Sequence, residues 1–376
     1  MDLLCEREDE LAVARRAVSE AAAGEGRVVL IEGPPGIGKT RLLDVAADLA
    51  TRAGFEVQHA RGDDLESGFA YGVLRQLLAP CLARLDPSVR AVVLDGPASA
   101  AAAMVDGTAG DSSAGSDEEA LRIAHGTHRL LQDLSECSPQ LVCVDDAHWA
   151  DTPSLEALGY LARRLGGVPI LIAAAYRVPL DGRVGDRLAR LQLVPGARRL
   201  TPSPLSEAAV AQLAGAVGGG DGESGLPGRF WHVTGGNPFL VHELLAALRA
   251  GEPAWGELKT PDVERLVPEP VSQAVLRRVS ATGERAAQLA DAVAVLGEAT
   301  LRDAAALAEL DEVEAVSAAD QLAAADVLAG GSRLRFVHPI VREAVRAHIR
   351  PARRSRTGTT APRLTRHCGR VAAAGS

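Results

Sequence analysis

The sequence predicts an α/β fold with a parallel sheet, and three stretches predict it. Arg27–Glu32 is a short β-branched apolar run, a glycine-rich segment follows, and Thr40–Ala50 then reads as a helix. Leu141-Val142-Cys143-Val144-Asp145-Asp146 reads as a second buried strand ending in two carboxylates. Val168–Tyr176 reads as a third, closed by Arg177. Strands that are apolar throughout, rather than alternating, belong to sheets covered on both faces.

The segment between the first strand and helix is Gly33-Pro34-Pro35-Gly36-Ile37-Gly38-Lys39-Thr40, which matches G-x-x-x-x-G-K-[ST]. Glycines let the backbone curl so that its N–H groups face an anion, and a helix N-terminus adds roughly half a positive charge. Lys39 supplies a full charge. The chain has only one other lysine, Lys259, and writes its remaining cations as arginine. A compact ammonium is thus kept where a β/γ-phosphate must be reached. All eight residues are expected to bind ATP or ADP, with the Thr40 hydroxyl on Mg²⁺. Asp145, at the carboxyl edge of its strand where α/β sheets take ligands, is expected to hold Mg²⁺ through water. Asp146 is expected to orient or deprotonate the attacking water. The spacing of Arg177 fits a γ-phosphate sensor and a solvated loop arginine equally. Past the carboxylates, Thr152 is expected to cap a helix Ser154–Leu165 with Pro153 at its first position.

Composition narrows the setting. No run reaches the ~18 apolar residues that span a bilayer, and Met1–Arg7 has no apolar stretch of signal-peptide length. Five widely spaced cysteines (Cys5, Cys81, Cys137, Cys143, Cys368) fit reduced thiols, so a cytoplasmic setting is expected. The net charge is −9, although Arg350–Ser376 carries seven arginines and no acid. An acidic body argues against broad nucleic-acid binding by the folded part, and only the tail offers phosphate contacts. His125 and His128 lack ligating neighbours at helical spacing and read as helix surface or core.

Several stretches together resemble the ATPase portion of bacterial STAND regulators, in particular the large LuxR-type (MalT-like) transcriptional activators, whose nucleotide domain is similar to the origin-recognition-complex-like AAA domains. These are Leu4-Cys5-Glu6-Arg7-Glu8-Asp9-Glu10-Leu11, the glycine-rich loop, Val144-Asp145-Asp146-Ala147-His148-Trp149-Ala150-Asp151, Tyr160–Leu165, Thr234-Gly235-Gly236-Asn237-Pro238-Phe239-Leu240-Val241 and Phe336-Val337-His338-Pro339. They run in family order from about residue 3 to residue 349. The resemblance implies that the segment around Arg7 closes over the adenine. It implies that the turn at Asn237 and Pro238 contacts base or ribose, and that His338 lies near the ADP phosphates in a closed state. It also implies self-association when ATP is bound.

The expected organisation is a P-loop NTPase domain with an AAA/STAND-like sheet at 1–195, a helical lid at 196–262, a winged-helix-like regulatory domain at 263–349 and a basic disordered tail at 350–376. Residues 92–118 read as a mobile low-complexity excursion, Gly218–Gly222 as a flexible loop, and Pro253, Pro261, Pro268 and Pro270 as a punctuated linker. Val271–Val279 and Ala286–Leu296 read as amphipathic helices, followed by two more and by Leu334–Val337. Acidic residues through the winged-helix segment (Asp303, Glu309, Asp311, Glu312, Glu314, Asp320) suit a lid rather than a DNA reader. The family's sensor repeats and helix-turn-helix are absent from this sequence, and apolar periodicity stops at Arg350, so a truncated or frame-shifted product of a longer gene is expected. The favoured function is a nucleotide-gated switch with slow ATP hydrolysis; the alternatives are a P-loop small-molecule kinase and a weak DNA binder acting through the tail.

Overall fold

The computed structural model describes residues 5–108, 117–177, 182–218, 226–250, 263, 266–329 and 331–349. Most of the expected glycine loop beyond Gly218, the linker at Pro253 and Pro261, Lys259 and the basic tail lie outside the described residues. The chain divides into two compact units, one formed by Arg7–Ser203 and one by Met1–Glu6 with Pro204–Ser376.

The first unit runs α1 (Glu8–Ala22), β1 (Arg27–Glu32), α2 (Lys39–Arg52), β2 (Glu56–Arg61), α3 (Gly72–Arg84), α4 (Pro87–Val93), α5 (Ser99–Val105), α6 (Asp117–Ser135), β3 (Gln140–Asp145), α7 (Thr152–Ala162), β4 (Ile170–Tyr176), α8 (Gly182–Gln192) and β5 (Arg198–Leu200). Its five strands form one parallel sheet in the order β2-β3-β4-β1-β5. β3 and β4 are buried along their whole length, and β1 is buried except at its ends. Each fully buried aliphatic side chain contributes about 1.5–3 kcal/mol, so this apolar slab is the main stabilising element of the unit. α2 lays Leu42, Leu43, Ala46, Ala47 and Ala50 against it, one stripe at helical spacing. β4 stands between β1 and β3, with Glu32 opposite Tyr176 and Val144 opposite Ala174. The glycine-rich loop, Arg177 and the carboxylate pair therefore leave three adjacent strands at one edge.

Two local expectations change. The stretch 92–118 is not a structureless excursion in its described part. Ser99–Val105 is helical and buries Ala100, Ala101, Ala102 and Met104. Alanine is the strongest helix former and small enough for close packing, so a run that looks like low complexity is core. Gly126 on α6 makes the approach possible: a Cβ there would meet the Pro97 carbonyl oxygen at 2.6 Å and the Ala101 nitrogen at 3.0 Å. The cap of α7 is also displaced by one residue. Asp151, not Thr152, is the N-cap, and its carboxylate accepts from the Ser154 N–H.

The second unit contains α9 (Glu207–Gly218), α10 (Leu226–Thr234), α11 (Pro238–Arg249), α12 (Glu269–Ala281), α13 (Glu284–Leu296), α14 (Leu301–Ala308), α15 (Glu312–Ala324), β6 (Leu328–Ala329), β7 (Arg335–Phe336) and α16 (Pro339–His348). One core gathers Leu205, Phe230, Val241, Leu244 and Leu245 from its first part. A second gathers Val275, Leu289, Val293, Leu322, Ile340 and Val345, and Leu240 of α11 joins it. β6 and β7 pair antiparallel. Among the described residues no helix is long and apolar enough to cross a membrane.

Candidate functional site

The glycine-rich loop connects β1 to α2. Gly36 and Gly38 have φ of 77° and 101°, which an L side chain rarely adopts. Gly38 is also the N-cap of α2 and places no side-chain acceptor on the first N–H groups of that helix. Such a helix start faces its donors and the positive end of its dipole toward an anion. Lys39 is buried, and its ammonium arches over the loop to donate to the carbonyls of Gly33 and Pro34, each at 2.9 Å. The positive charge is therefore held at the cradle rather than in solvent.

Across the edge, the Thr40 hydroxyl donates to Asp145 Oδ2 at 2.9 Å. The structure thus brings together the two residues expected at Mg²⁺. A hydroxyl and a carboxylate are hard oxygen donors of the kind Mg²⁺ takes alongside phosphate and water, so the residues fit that ion. When bound, Mg²⁺ would neutralise phosphate charge there. Asp146 follows with φ of 47°, a left-handed conformation that aspartate tolerates better than most residues. This turn aims its carboxylate toward Arg61 at the end of β2, whose guanidinium donates at 2.8 and 3.2 Å. Gly62 N–H donates to the Asp145 carbonyl at 2.9 Å, and a Cβ on Gly62 would lie 2.9 Å from Ala150 N, so β2 is fitted closely to this turn.

Arg177 and His148 complete the edge. Arg177 is the residue directly after β4. Neither ring nitrogen of His148 has a hydrogen-bond partner among the described residues, and Nδ1 stands 4.0 Å from Asp146 Oδ1. Burial, helped by the positive charges of Arg177 and Lys39, brings its pKa down to about 4 against the opposing pull of Asp146. His148 is therefore a neutral imidazole among two cations and a carboxylate.

Arg7, Asn237 and His338 each have partners within their own unit. Arg7 is buried at the start of α1, and its guanidinium donates to the Ile37 carbonyl at 3.4 Å and the Ser203 carbonyl at 2.7 Å. It therefore ties the start of α1 to the glycine-rich loop at Ile37. Asn237 is the N-cap of α11, with Oδ1 accepting from Phe239 and Leu240, and Pro238 is the first residue of that helix. His338 lies against Gly235, where a Cβ would meet its Nδ1 at 2.5 Å, and burial lowers its pKa. Asn237, Arg278, Asp326 and His338 line one small cavity of the second unit.

Four residues escaped the sequence reading: Arg61, His148, Asp151 and Tyr176. Asp151 had a visible signal, an acid directly before Thr-Pro at a helix start. His148 lay inside a recognised stretch without an assigned role. Arg61 and Tyr176 gain their partners only when β2 and β1 are laid beside β3 and β4.

A parallel sheet, a helix-opening lysine loop and a carboxylate pair on a nearby strand define a P-loop NTPase. The comparisons agree. A family described as the AAA ATPase domain matches residues 3–173, the part of the chain that carries the glycine-rich loop and the carboxylate pair. A Walker-type ATPase of Pyrococcus abyssi superposes with a TM-score of 0.55 at 13% identity, covering 91% of this chain and 95% of that one. The ORC2 protein of Aeropyrum pernix, solved as ADPNP-ADP complexes, superposes with a TM-score of 0.51 at 14% identity, covering 92% and 95%. At such identities these likenesses show the fold alone. An uncharacterized protein of Rhizobium meliloti (strain 1021) is 32% identical over 197 residues, 46% of this chain. The match spans 18% of that protein's length.

Proposed function

We propose that the chain is an ATP-binding switch that hydrolyses ATP slowly, using Mg²⁺, and that ATP and ADP favour different states of it. The observation that carries this reading is the convergence of Lys39, Thr40, Asp145, Asp146 and Arg177 at the edge of three adjacent strands. Lys39 and the start of α2 hold the phosphates, Thr40 and Asp145 hold Mg²⁺, Asp146 orients water and Arg177 senses the γ-phosphate. The stretches shared with STAND regulators support the finer reading, a regulatory module like that of LuxR-type activators which self-associates with ATP. The division into nucleotide, lid and winged-helix-like parts belongs to the same proposal. Two states trade places when each nucleotide prefers one by a few kcal/mol.

Nucleotide released from the purified full-length protein by denaturation tests this directly, and ADP is the expected species. Added ATP or ADP at a hundredfold excess over Kd should stabilise the protein by about 2.7 kcal/mol. Lys39→Ala should remove that stabilisation. Equal shifts in wild type and Lys39→Ala would falsify the assignment of the phosphate site.

A further inference from the structure

The end of β4 carries a polar network that the phosphate site does not itself require. Tyr176, the last residue of the strand, is fully buried. Its phenol donates to Glu32 Oε2 at 3.0 Å and accepts from Gln192 Nε2 at 2.7 Å. The other oxygen of Glu32 accepts from the Thr201 hydroxyl at 3.2 Å and lies 3.4 Å from Arg199 Nε. One phenol therefore ties together the ends of β1 and α8, and through Glu32 reaches the chain just after β5. Its backbone is held as well, because the Tyr176 carbonyl accepts from the Gly33 N–H at 3.3 Å.

The neighbours of this network give it a consequence. Glu32 is the residue before the glycine-rich loop, and Tyr176 is the residue before Arg177. The two are register partners across the sheet. The first glycine of the phosphate loop and the candidate phosphate-sensing arginine thus start from a single anchored pair. A phenylalanine would fill the same volume without fixing that pair. Burial also pushes the phenol up to about 12, so it remains a neutral donor.

We propose that Tyr176 is a positioning residue that sets Arg177 at a fixed offset from the glycine-rich loop, and that this offset lets the site tell ATP from ADP. The proposal rests on the nucleotide reading above. It gives the discrimination a mechanical origin: Arg177 can reach a third phosphate only while the end of β4 is pinned to the end of β1.

The experiment uses the full-length protein as wild type, Tyr176→Phe, Arg177→Ala and the double variant. Affinities for fluorescent ADP and for a fluorescent non-hydrolysable ATP analogue are measured with Mg²⁺ by equilibrium titration. Tyr176→Phe is expected to keep ADP affinity within about twofold and to weaken the ATP analogue about fivefold or more, the lower end of typical coupling between sites. It should add nothing to Arg177→Ala, since two residues acting as one unit are not additive. Equal weakening of both nucleotides, wild-type behaviour of Tyr176→Phe, or independent losses in the double variant would each overturn the proposal. Should Tyr176→Phe fail to fold, Glu32→Leu removes the acceptor of the phenol at the end of β1 and must show the same selective loss. A wild-type chain that binds neither nucleotide sinks the nucleotide reading, and this proposal with it; normal ADP binding with unaltered discrimination sinks this proposal alone.

Discussion

Thr40 Oγ1 donates to Asp145 Oδ2 across 2.9 Å, joining the last residue of the glycine-rich loop to the end of β3, 105 positions along the chain. The bond needs an acceptor oxygen, whereas Mg²⁺ needs the carboxylate charge as well. Asp145→Asn keeps the first and loses the second. It should fold as wild type does and bind ATP without Mg²⁺ equally well, while the gain in ATP affinity on adding Mg²⁺ falls about tenfold or more, the loss of roughly 1.4 kcal/mol of charge interaction. Nucleotide titration with and without Mg²⁺ reads both arms, and an unchanged Mg²⁺ gain in the variant would refute the assignment.

Arg61 holds the Asp146 carboxylate, yet the arginine side chain is 71% exposed. An exposed ion pair is worth about 0–1 kcal/mol, so the clamp is weak and releasable. Arg61→Ala should raise basal ATP turnover by up to about fivefold, the rate equivalent of that energy, by freeing the carboxylate to meet water. Asp146→Asn should lower turnover by about a hundredfold or more, the usual loss for an acid–base group. Steady-state phosphate release measures both. A fall in turnover for Arg61→Ala would mean that the arginine assists the reaction.

His148 makes a pH dependence. Its folded pKa of about 4 lies below the ordinary histidine value of 6.5. The unfolded chain therefore takes up the proton first. The contribution to stability is complete above about pH 6.5, declines as pH falls toward 4 and then levels off, with a total of about 3 kcal/mol. His148→Phe keeps the ring volume and removes the titration. Urea midpoints at pH 8 and pH 4.5 should separate more for wild type than for the variant; equal separations would show that the imidazole titrates normally.

The sheet and half of the site were legible because their signals are local. Val28–Ile31 and Leu141–Val144 are uninterrupted apolar runs, and Lys39 and Thr40 sit in a fixed spacing, so no partner is needed to read them. The rest depends on pairing. Arg61 ends a strand whose burial alternates, and it meets Asp146 only because β2 lies beside β3. The alanines of Ser99–Val105 carry too little hydrophobic contrast to announce a helix, and their burial follows from Gly126 admitting a close approach. Asn237 shows a different miss: its capping of α11 is a local signal, an acceptor directly before Pro238 at a helix start, and it was legible beside the motif that contains it.

Asp151 is the clearest structural dependency near the site. Its buried carboxylate accepts from the backbone N–H groups of Tyr71 at 2.8 Å, Val73 at 3.1 Å and Ser154 at 2.9 Å. It thereby caps α7 and holds the start of α3. Tyr71 needs that anchor, for its φ of 61° is unfavourable for an aromatic residue. Asp151→Ala removes one helix cap, worth about 0.5–2 kcal/mol, and leaves further donors buried at about 1–3 kcal/mol each, so a loss of about 3–5 kcal/mol is expected. Asp151→Asn retains an acceptor oxygen but turns an amide N–H₂ toward a second donor, and should cost about half as much. Urea unfolding of the two variants, followed by the transition of the Arg7–Ser203 unit, checks the order: Ala below Asn below wild type. An Asp151→Ala midpoint within error of wild type would show that these donors find other acceptors and that α3 does not depend on this carboxylate.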